Sequence, residues 1–275
     1  MPSLQASGRG HLPVVLALLD AKADPNACHT VKHESPISIA ARKGHLDVIR
    51  ALLAAGASVS VRIPPCVDSR GSVGCTPLWA AAQNGFADVA DLLLQQGADA
   101  NESDSLDVSA LHVAAARGSI RTVACLIANR ANVSITSAPP AKHTPLFYAA
   151  QHGHADVAQH LIFAGADPAT CDASDGQTAV SIAAECGNLQ VMQVLVEEGA
   201  KTGTSLTTPT GATNADLWLA SSKGHASVVQ WLLCQPGVEV NRPGSDGTTA
   251  TTPYQVARSA GHHDAAELLR LHGGR

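Results

Sequence analysis

The sequence predicts an all-α solenoid of stacked helix-turn-helix units, and three observations carry that prediction. A segment anchored on Gly recurs eight times in 275 residues, at Gly10, Gly44, Gly85, Gly118, Gly153, Gly187, Gly224 and Gly261. The steps of 34, 41, 33, 35, 34, 37 and 37 residues are those of a repeated supersecondary unit, not of one continuous core. Composition agrees: 45% of residues are hydrophobic but only 3% aromatic. Small apolar side chains, Ala above all, suit closely stacked helices better than a core built on Phe, Tyr and Trp. Finally, each copy spells two short helices.

The stretch "TPLWAAAQNG", Thr76 to Gly85, shows how the first helix is written. Thr76 can accept a hydrogen bond from a free N–H of the first turn. Pro77 fits the first helical position, where its missing N–H costs nothing. Leu78, Ala81 and Ala82 follow at helical spacing, and Gly85 can end the helix in the left-handed conformation. A second helix runs through "FADVADLLLQQ" with Val89, Leu92 and Leu93 on one face, and Gly97 closes it. One such unit cannot bury its own apolar faces, but a stack can.

These copies resemble the ankyrin repeat family, whose unit carries T-P-L-H-x-A. The fourth comes nearest, with Ser109-Ala110-Leu111-His112-Val113-Ala114. The resemblance implies antiparallel helix pairs joined by β-turn finger loops, and a surface that binds other proteins. One domain over residues 1–275 is expected, with approximate repeats at 1–27 (truncated), 31–60, 72–104, 105–135, 140–172, 174–203, 211–243 and 248–275.

The pattern frays at identifiable places. Caps stand at Ser35, Thr76, Ser109, Thr144, Thr178 and Thr252, but the seventh copy has Ala215 followed by Asp216. Asn214 or Asp216 could cap a shifted start there. The Gly closing the second helix becomes Lys22 in the first copy and Arg130 in the fourth. A side chain in the left-handed region costs roughly 1–2 kcal/mol, so these turns should be strained or re-registered. Connections 58–75, 201–214 and 240–252 are long and polar, read either as recognition loops or as tolerated insertions. The clipped first copy reads as part of a longer protein or as an unravelled helix, and the former is preferred.

Several functions are disfavoured. The formal charge of −5 and the absence of a basic cluster longer than Arg42-Lys43 argue against nucleic acid. No apolar run reaches a membrane span. The seven cysteines, at 28, 66, 75, 125, 171, 186 and 234, include no C-x-x-C, so reduced and mostly buried thiols are expected in a cytoplasmic or nuclear protein. "RGHLPVVLALLDAKA" passes as a secretory signal, which would make Asn101 and Asn132 glycosylation acceptors. The same stretch also aligns with "KGHLDVIRALLAAGA" inside the second copy, and the repeat reading is preferred. His45, His154, His225 and His262 recur with the period and read as structural. The group His143, His152, His154 and His160 lacks the other ligands of a metal site. Trp79 and Trp218 take the place of His112 and read as packing, and Glu197-Glu198 before Gly199 reads as a solvated helix end. No catalytic signature appears, so no enzyme activity and no cofactor or metal are expected.

In ankyrin repeats the concave surface is built from the fingers and the exposed ends of the first helices. By resemblance, the contact positions are the two residues before each repeat Gly: Arg42 and Lys43, Gln83 and Asn84, Ala116 and Arg117, Gln151 and His152, Glu185 and Cys186, Ser222 and Lys223. The strip runs from basic to neutral to acidic, which suggests an acidic or mixed-charge peptide docking on the N-terminal half. The expected role is a monomeric module or scaffold binding another protein or peptide. The alternative is a targeting or substrate-recruiting part of a larger enzyme or channel.

Overall fold

The computed structural model describes residues 2–28, 34–61, 75–171, 176–202, 212–245 and 250–275. Helices come in pairs: α1 (Pro2–Arg9) with α2 (Leu12–Asp20), α3 (Pro36–Lys43) with α4 (Leu46–Ala54), α5 (Pro77–Asn84) with α6 (Ala87–Gln95), and α7 (Ala110–Arg117) with α8 (Ile120–Ala128). After them come α9 (Pro145–His152), α10 (Ala155–Phe163), α11 (Ala179–Cys186), α12 (Leu189–Thr202), α13 (Ala212–Lys223) and α14 (Ala226–Leu233). A two-residue hairpin, β1 (Gly244–Ser245) and β2 (Ala250–Thr251), precedes α15 (Pro253–Ser259) and α16 (His263–Leu271). Gly244 lies opposite Thr251 in antiparallel register. Of the three long connections, residues 62–74, 203–211 and 246–249 lie outside the described residues.

The described residues form two compact units, Met1–Pro145 and Leu146–Arg275. In the first, α1, α3, α5 and α7 stack as one row and α2, α4, α6 and α8 as another. The second stacks α11, α13 and α15 beside α10, α12, α14 and α16. The core is the seam between rows, where Ile37, Leu78 and Leu111 of the first helices meet Ile49, Leu52, Leu93 and Leu126 of the second, all buried. Small partners make the close approach possible: Ala40, Ala41, Ala81, Ala82, Ala114 and Ala115 are buried too.

The local signals act as their chemistry dictates. Thr76 Oγ1 accepts from Trp79 N–H at 3.1 Å, and Thr178 Oγ1 from Ser181 N–H at 3.2 Å. Gly85 turns left-handed at φ 75°. Lys22 (φ 61°) and Arg130 (φ 63°) hold the conformation of the glycines they replace. Strain, not re-registration, is therefore the outcome there.

Several expectations are corrected. The first helix is not unravelled, since α1 is a regular two-turn helix. In the seventh repeat the helix begins at Ala212, so Ala215 is interior and needs no capping role. Asn214 Oδ1 instead accepts from Glu239 N–H at 2.8 Å. Gly199 does not close its helix, because α12 continues to Thr202; glycine permits a left-handed turn but does not impose one. As a result only Glu197 is solvated. Glu198 is buried, and its Oε1 lies 3.4 Å from the Gln159 amide that donates to it. Among the described cysteines only Cys75 is buried; Cys28, Cys171, Cys186 and Cys234 are exposed, because they sit on loops and helix ends outside the apolar seam.

Candidate protein-binding surface

In four of the described repeats the residue after the repeat Gly ties its repeat to the one before. His45 Nε2 donates to the Gly8 carbonyl at 3.2 Å, His225 Nε2 to Glu185 at 2.8 Å and His262 Nε2 to Ser222 at 3.1 Å. Asn188 Nδ2 does the same with the Ala150 and Gln151 carbonyls, at 2.8 and 3.0 Å. These acceptors sit in the last turns of the first helices, where carbonyls lack intrahelical partners. The ring sits close against the glycine of the earlier repeat: a Cβ added at Gly187 would approach His225 Nδ1 to 2.5 Å. Recurring histidine is therefore a stacking device.

A second tie uses the motif position. His112 Nδ1 accepts from Ser109 N–H, and its Nε2 donates to the His143 carbonyl, each at 3.0 Å. Trp79 Nε1 donates to the Val108 carbonyl at 3.0 Å, and Trp218 Nε1 to Thr251 Oγ1 at 3.1 Å. All three targets lie one residue before a repeat's helix cap. Trp79 and Trp218 are buried, so packing is their role. A third tie involves Asn101: Nδ2 donates to the Arg130 carbonyl at 3.2 Å and Oδ1 accepts from Asn132 N–H at 2.6 Å. That amide is occupied by structure, which leaves a glycosylation reading of Asn101 without support.

With the frame so explained, the paired positions stand apart. Arg42, Gln83, Ala116, Gln151, Glu185 and Ser222 are half-buried. Lys43, Arg117, His152, Cys186 and Lys223 are exposed, and Asn84 is half-buried. Their charges differ from the simple strip. Arg42 is ion-paired with Glu34, whose side chain is buried. Lys223 Nζ pairs with Glu185 Oε1 at 3.1 Å, and Gln177 Nε2 donates to Glu185 Oε2 at 3.1 Å. The acidic end expected at Glu185 is thus neutralised within the fold. Lys43 and Arg117 have no ion-pair partner among the described residues. Asn84 Nδ2 donates to the Ala80 carbonyl at 2.8 Å, Ser222 Oγ to Leu219 at 2.8 Å, and His152 Nδ1 meets the Tyr148 carbonyl at 2.9 Å.

The family profile described as "Ankyrin repeats (3 copies)" matches residues 4–104, 96–172 and 146–244. The chain belongs to the ankyrin repeat family. Its fold is an all-α solenoid, similar to the human ASB11 ankyrin repeat domain with a TM-score of 0.64 at 23% identity, over 100% of this chain and 99% of that one. A Caenorhabditis elegans transient receptor potential cation channel subfamily A member 1 homolog is 28% identical over 194 residues, 70% of this chain and 15% of the relative. A probable E3 ubiquitin-protein ligase, XBOS33, of Oryza sativa subsp. japonica is 29% identical over 212 residues, 72% of this chain and 39% of the relative. The chain therefore spans well under half the length of these relatives.

Ankyrin repeats are protein-interaction modules, and this chain is one. Sequence reasoning missed two groups around its paired positions. Glu34 and Gln177, each directly before a repeat's helix cap, bond to Arg42 and Glu185 respectively. The finger before α7 is held by Asp104, whose Oδ1 accepts from Leu106 and Val108 N–H, each at 2.9 Å. Leu106 is left exposed. A final unannounced feature is Asp216, buried with its Oδ1 unpartnered. Burial pushes its carboxyl up to about 7, against a hydrogen bond from Ser181. Burial and the Asp91 carboxylate push the Cys125 thiol up to about 11, which makes it a poor nucleophile. Among the described residues no group of three or more His, Cys, Asp or Glu could hold a metal ion, and no helix is long and apolar enough to cross a membrane.

Proposed function

We propose that the ankyrin repeats of the first unit read an acidic or mixed-charge segment of another protein. The contacts are Arg42 and Lys43, Gln83 and Asn84, Ala116 and Arg117, with Leu106 on the finger as an apolar anchor. The observation that carries this reading is the pair Lys43 and Arg117: two exposed cations with no ion-pair partner among the described residues, in a chain of net charge −5. Both sit at helix C-termini, where the helix dipole also favours positive charge. In the second unit, Gln151, His152, Glu185, Cys186, Ser222 and Lys223 offer polar contacts with little net charge. Each chain binds its partner as a self-sufficient scaffold, without catalysis and without nucleic acid. Exposed free thiols at Cys28, Cys171, Cys186 and Cys234 suit a reducing compartment, cytoplasm or nucleus.

The test is affinity capture with mass spectrometry, comparing wild type with Lys43→Glu/Arg117→Glu. This pair is cleaner than Arg42→Glu/Lys43→Glu, because replacing Arg42 strands the buried Glu34 carboxylate. The double variant should lose the wild-type partner, and the purified wild-type complex should weaken with salt. Unchanged affinity and salt dependence would remove the placement.

A second reading is favoured by length. Because the chain spans 15% and 39% of two relatives that are a channel homolog and a probable ligase, it can serve as the targeting portion of a larger enzyme or channel. A transcript whose reading frame continues into a catalytic or channel domain would establish that reading.

A further inference from the structure

Three residues after the cap slot, four of the repeats carry a buried ring: Trp79, His112, Phe147 and Trp218. Trp79, His112 and Trp218 use it to reach the loop of the next repeat. The sixth repeat has Ser181 there instead. Its side chain stops within its own repeat, with Oγ 3.2 Å from Thr178 Oγ1. Beside it opens a cleft of about 270 Å³ between α11, α13 and β1, lined by Gln177, Ser181, Ala215, Trp218, Leu219 and Gly244. Ser38 is as short in the second repeat but is fully buried, whereas Ser181 is half-buried. The neighbours of Ser181 have not closed over the space that a ring occupies elsewhere.

The floor departs from the repeat as well. The slot after the cap is Pro36, Pro77, Pro145 and Pro253 in four repeats, all buried, but Asp216 in the seventh. Asp216 is buried with Oδ1 unpartnered, and the Ser181 hydroxyl donates to its carboxyl. With its proton given to Asp216, Ser181 Oγ offers lone pairs only: one for Thr178 and one for a donor in the cleft. The walls are apolar, from Ala215, Leu219 and Trp218. The Trp218 ring lies so close to Gly244 that a Cβ there would overlap it, and it gives a second ring an aromatic surface to pack against. Nearby charge is already cancelled, because Glu185 pairs with Lys223 and accepts from Gln177. Residues 172–175, 203–211 and 246–249, outside the described ones, include no Phe, Tyr, Trp or His, so these adjoining segments supply no ring of their own.

We propose that this cleft takes the indole ring of a tryptophan side chain from another protein, in the slot that Trp79 and Trp218 fill from within their own repeats. An indole has a flat apolar body for Leu219 and Trp218, and a single N–H with no acceptor, which matches the lone pair left on Ser181 Oγ. An imidazole would leave part of the space empty. A phenyl ring would fill it but leave that lone pair unmatched. A cation finds Glu185 already paired and Asp216 sealed below Ser181. The site lies wholly in the second unit, so it stands or falls independently of the Lys43 and Arg117 reading.

The test is a titration of the full 275-residue chain with N-acetyl-tryptophanamide, which stands for a tryptophan inside a polypeptide. Magnetic resonance follows the Trp218 indole N–H and the Ser181 and Leu219 amides. Saturation is expected with a Kd of roughly 0.1–1 mM, the range that fragment-sized ligands reach. N-acetyl-phenylalaninamide should bind about fivefold more weakly for want of the N–H, and Ser181→Ala should remove that difference. Ser181→Trp, which fills the slot from within as Trp79 does, should abolish binding; if that variant does not fold, the Ser181→Ala comparison decides alone. Unmoved resonances at about 10 mM ligand overturn the proposal, as do equal affinities of the two amides for wild type. Saturation of the same resonances by agmatine at lower concentration overturns it in favour of a cation. Tighter binding of free tryptophan than of its amide overturns the assignment to a protein side chain.

Discussion

Trp79 Nε1 donates to the Val108 carbonyl across 3.0 Å, from one repeat to the loop that opens the next. His112 makes the same bond to His143 one repeat later, so indole and imidazole are interchangeable donors at a fixed place. Trp79→Phe should cost about 1 kcal/mol for the lost bond, and Trp79→Ala about 3–5 kcal/mol as the buried volume empties. Urea unfolding midpoints would check both, and a Phe variant as stable as wild type would show that the bond contributes nothing.

His112 should make the protein acid-sensitive at mild pH. Burial lowers its pKa from 6.5 to about 4, so the folded state favours neutral imidazole. Its contribution is fully present above pH 6.5 and declines as pH falls towards 4, because only the unfolded chain takes up the proton. The loss is on the order of 3 kcal/mol. Unfolding free energies of His112→Gln between pH 7 and 4 should lack this slope.

Asp216 predicts the opposite trend, a loss of stability as pH rises. Its carboxyl is raised from 3.8 to about 7, so ionisation is resisted in the fold. Stability falls as pH rises from about 4 to 7 and then levels off, a loss on the order of 4 kcal/mol. Asp216→Asn should therefore exceed wild type in thermal midpoint at pH 8 and lose that advantage near pH 4. An advantage equal at both pH values would assign the effect to packing.

Ser7 is fully buried and its Oγ has no partner. The equivalent position is Ala41 on α3, Ala82 on α5 and Ala115 on α7. Ser7→Ala should raise stability by about 1 kcal/mol by removing an uncompensated polar group. Hydrogen exchange in α1 would localise the gain, which should appear as slower opening of that helix.

The helix pairs were legible because their signals are local. Thr76, Pro77 and Gly85 act on backbone within a turn of themselves, and the repetition of the unit averaged away single departures. Ala215 and Gly199 misled for the same reason: each was read by its slot, while the helix around it was longer than the slot allowed. The candidate strip was located by slot as well. Its charge was not legible, because only the fold decides that Glu34 reaches Arg42 and that Lys223 reaches Glu185.

Sequence alone determined the period, the caps, the left-handed turns and the fold class, since each depends on a residue and its near neighbours. Tertiary structure decided that Arg42 and Lys223 are ion-paired, why Trp79, Asn101 and the recurring histidines are there, and where Asp216 and Glu198 are buried. It also decided that a cleft lies between Ser181 and Trp218. Most of these depend on contacts some thirty to forty residues apart, as between Trp79 and Val108 or His262 and Ser222, which exist only once one repeat is stacked on the next.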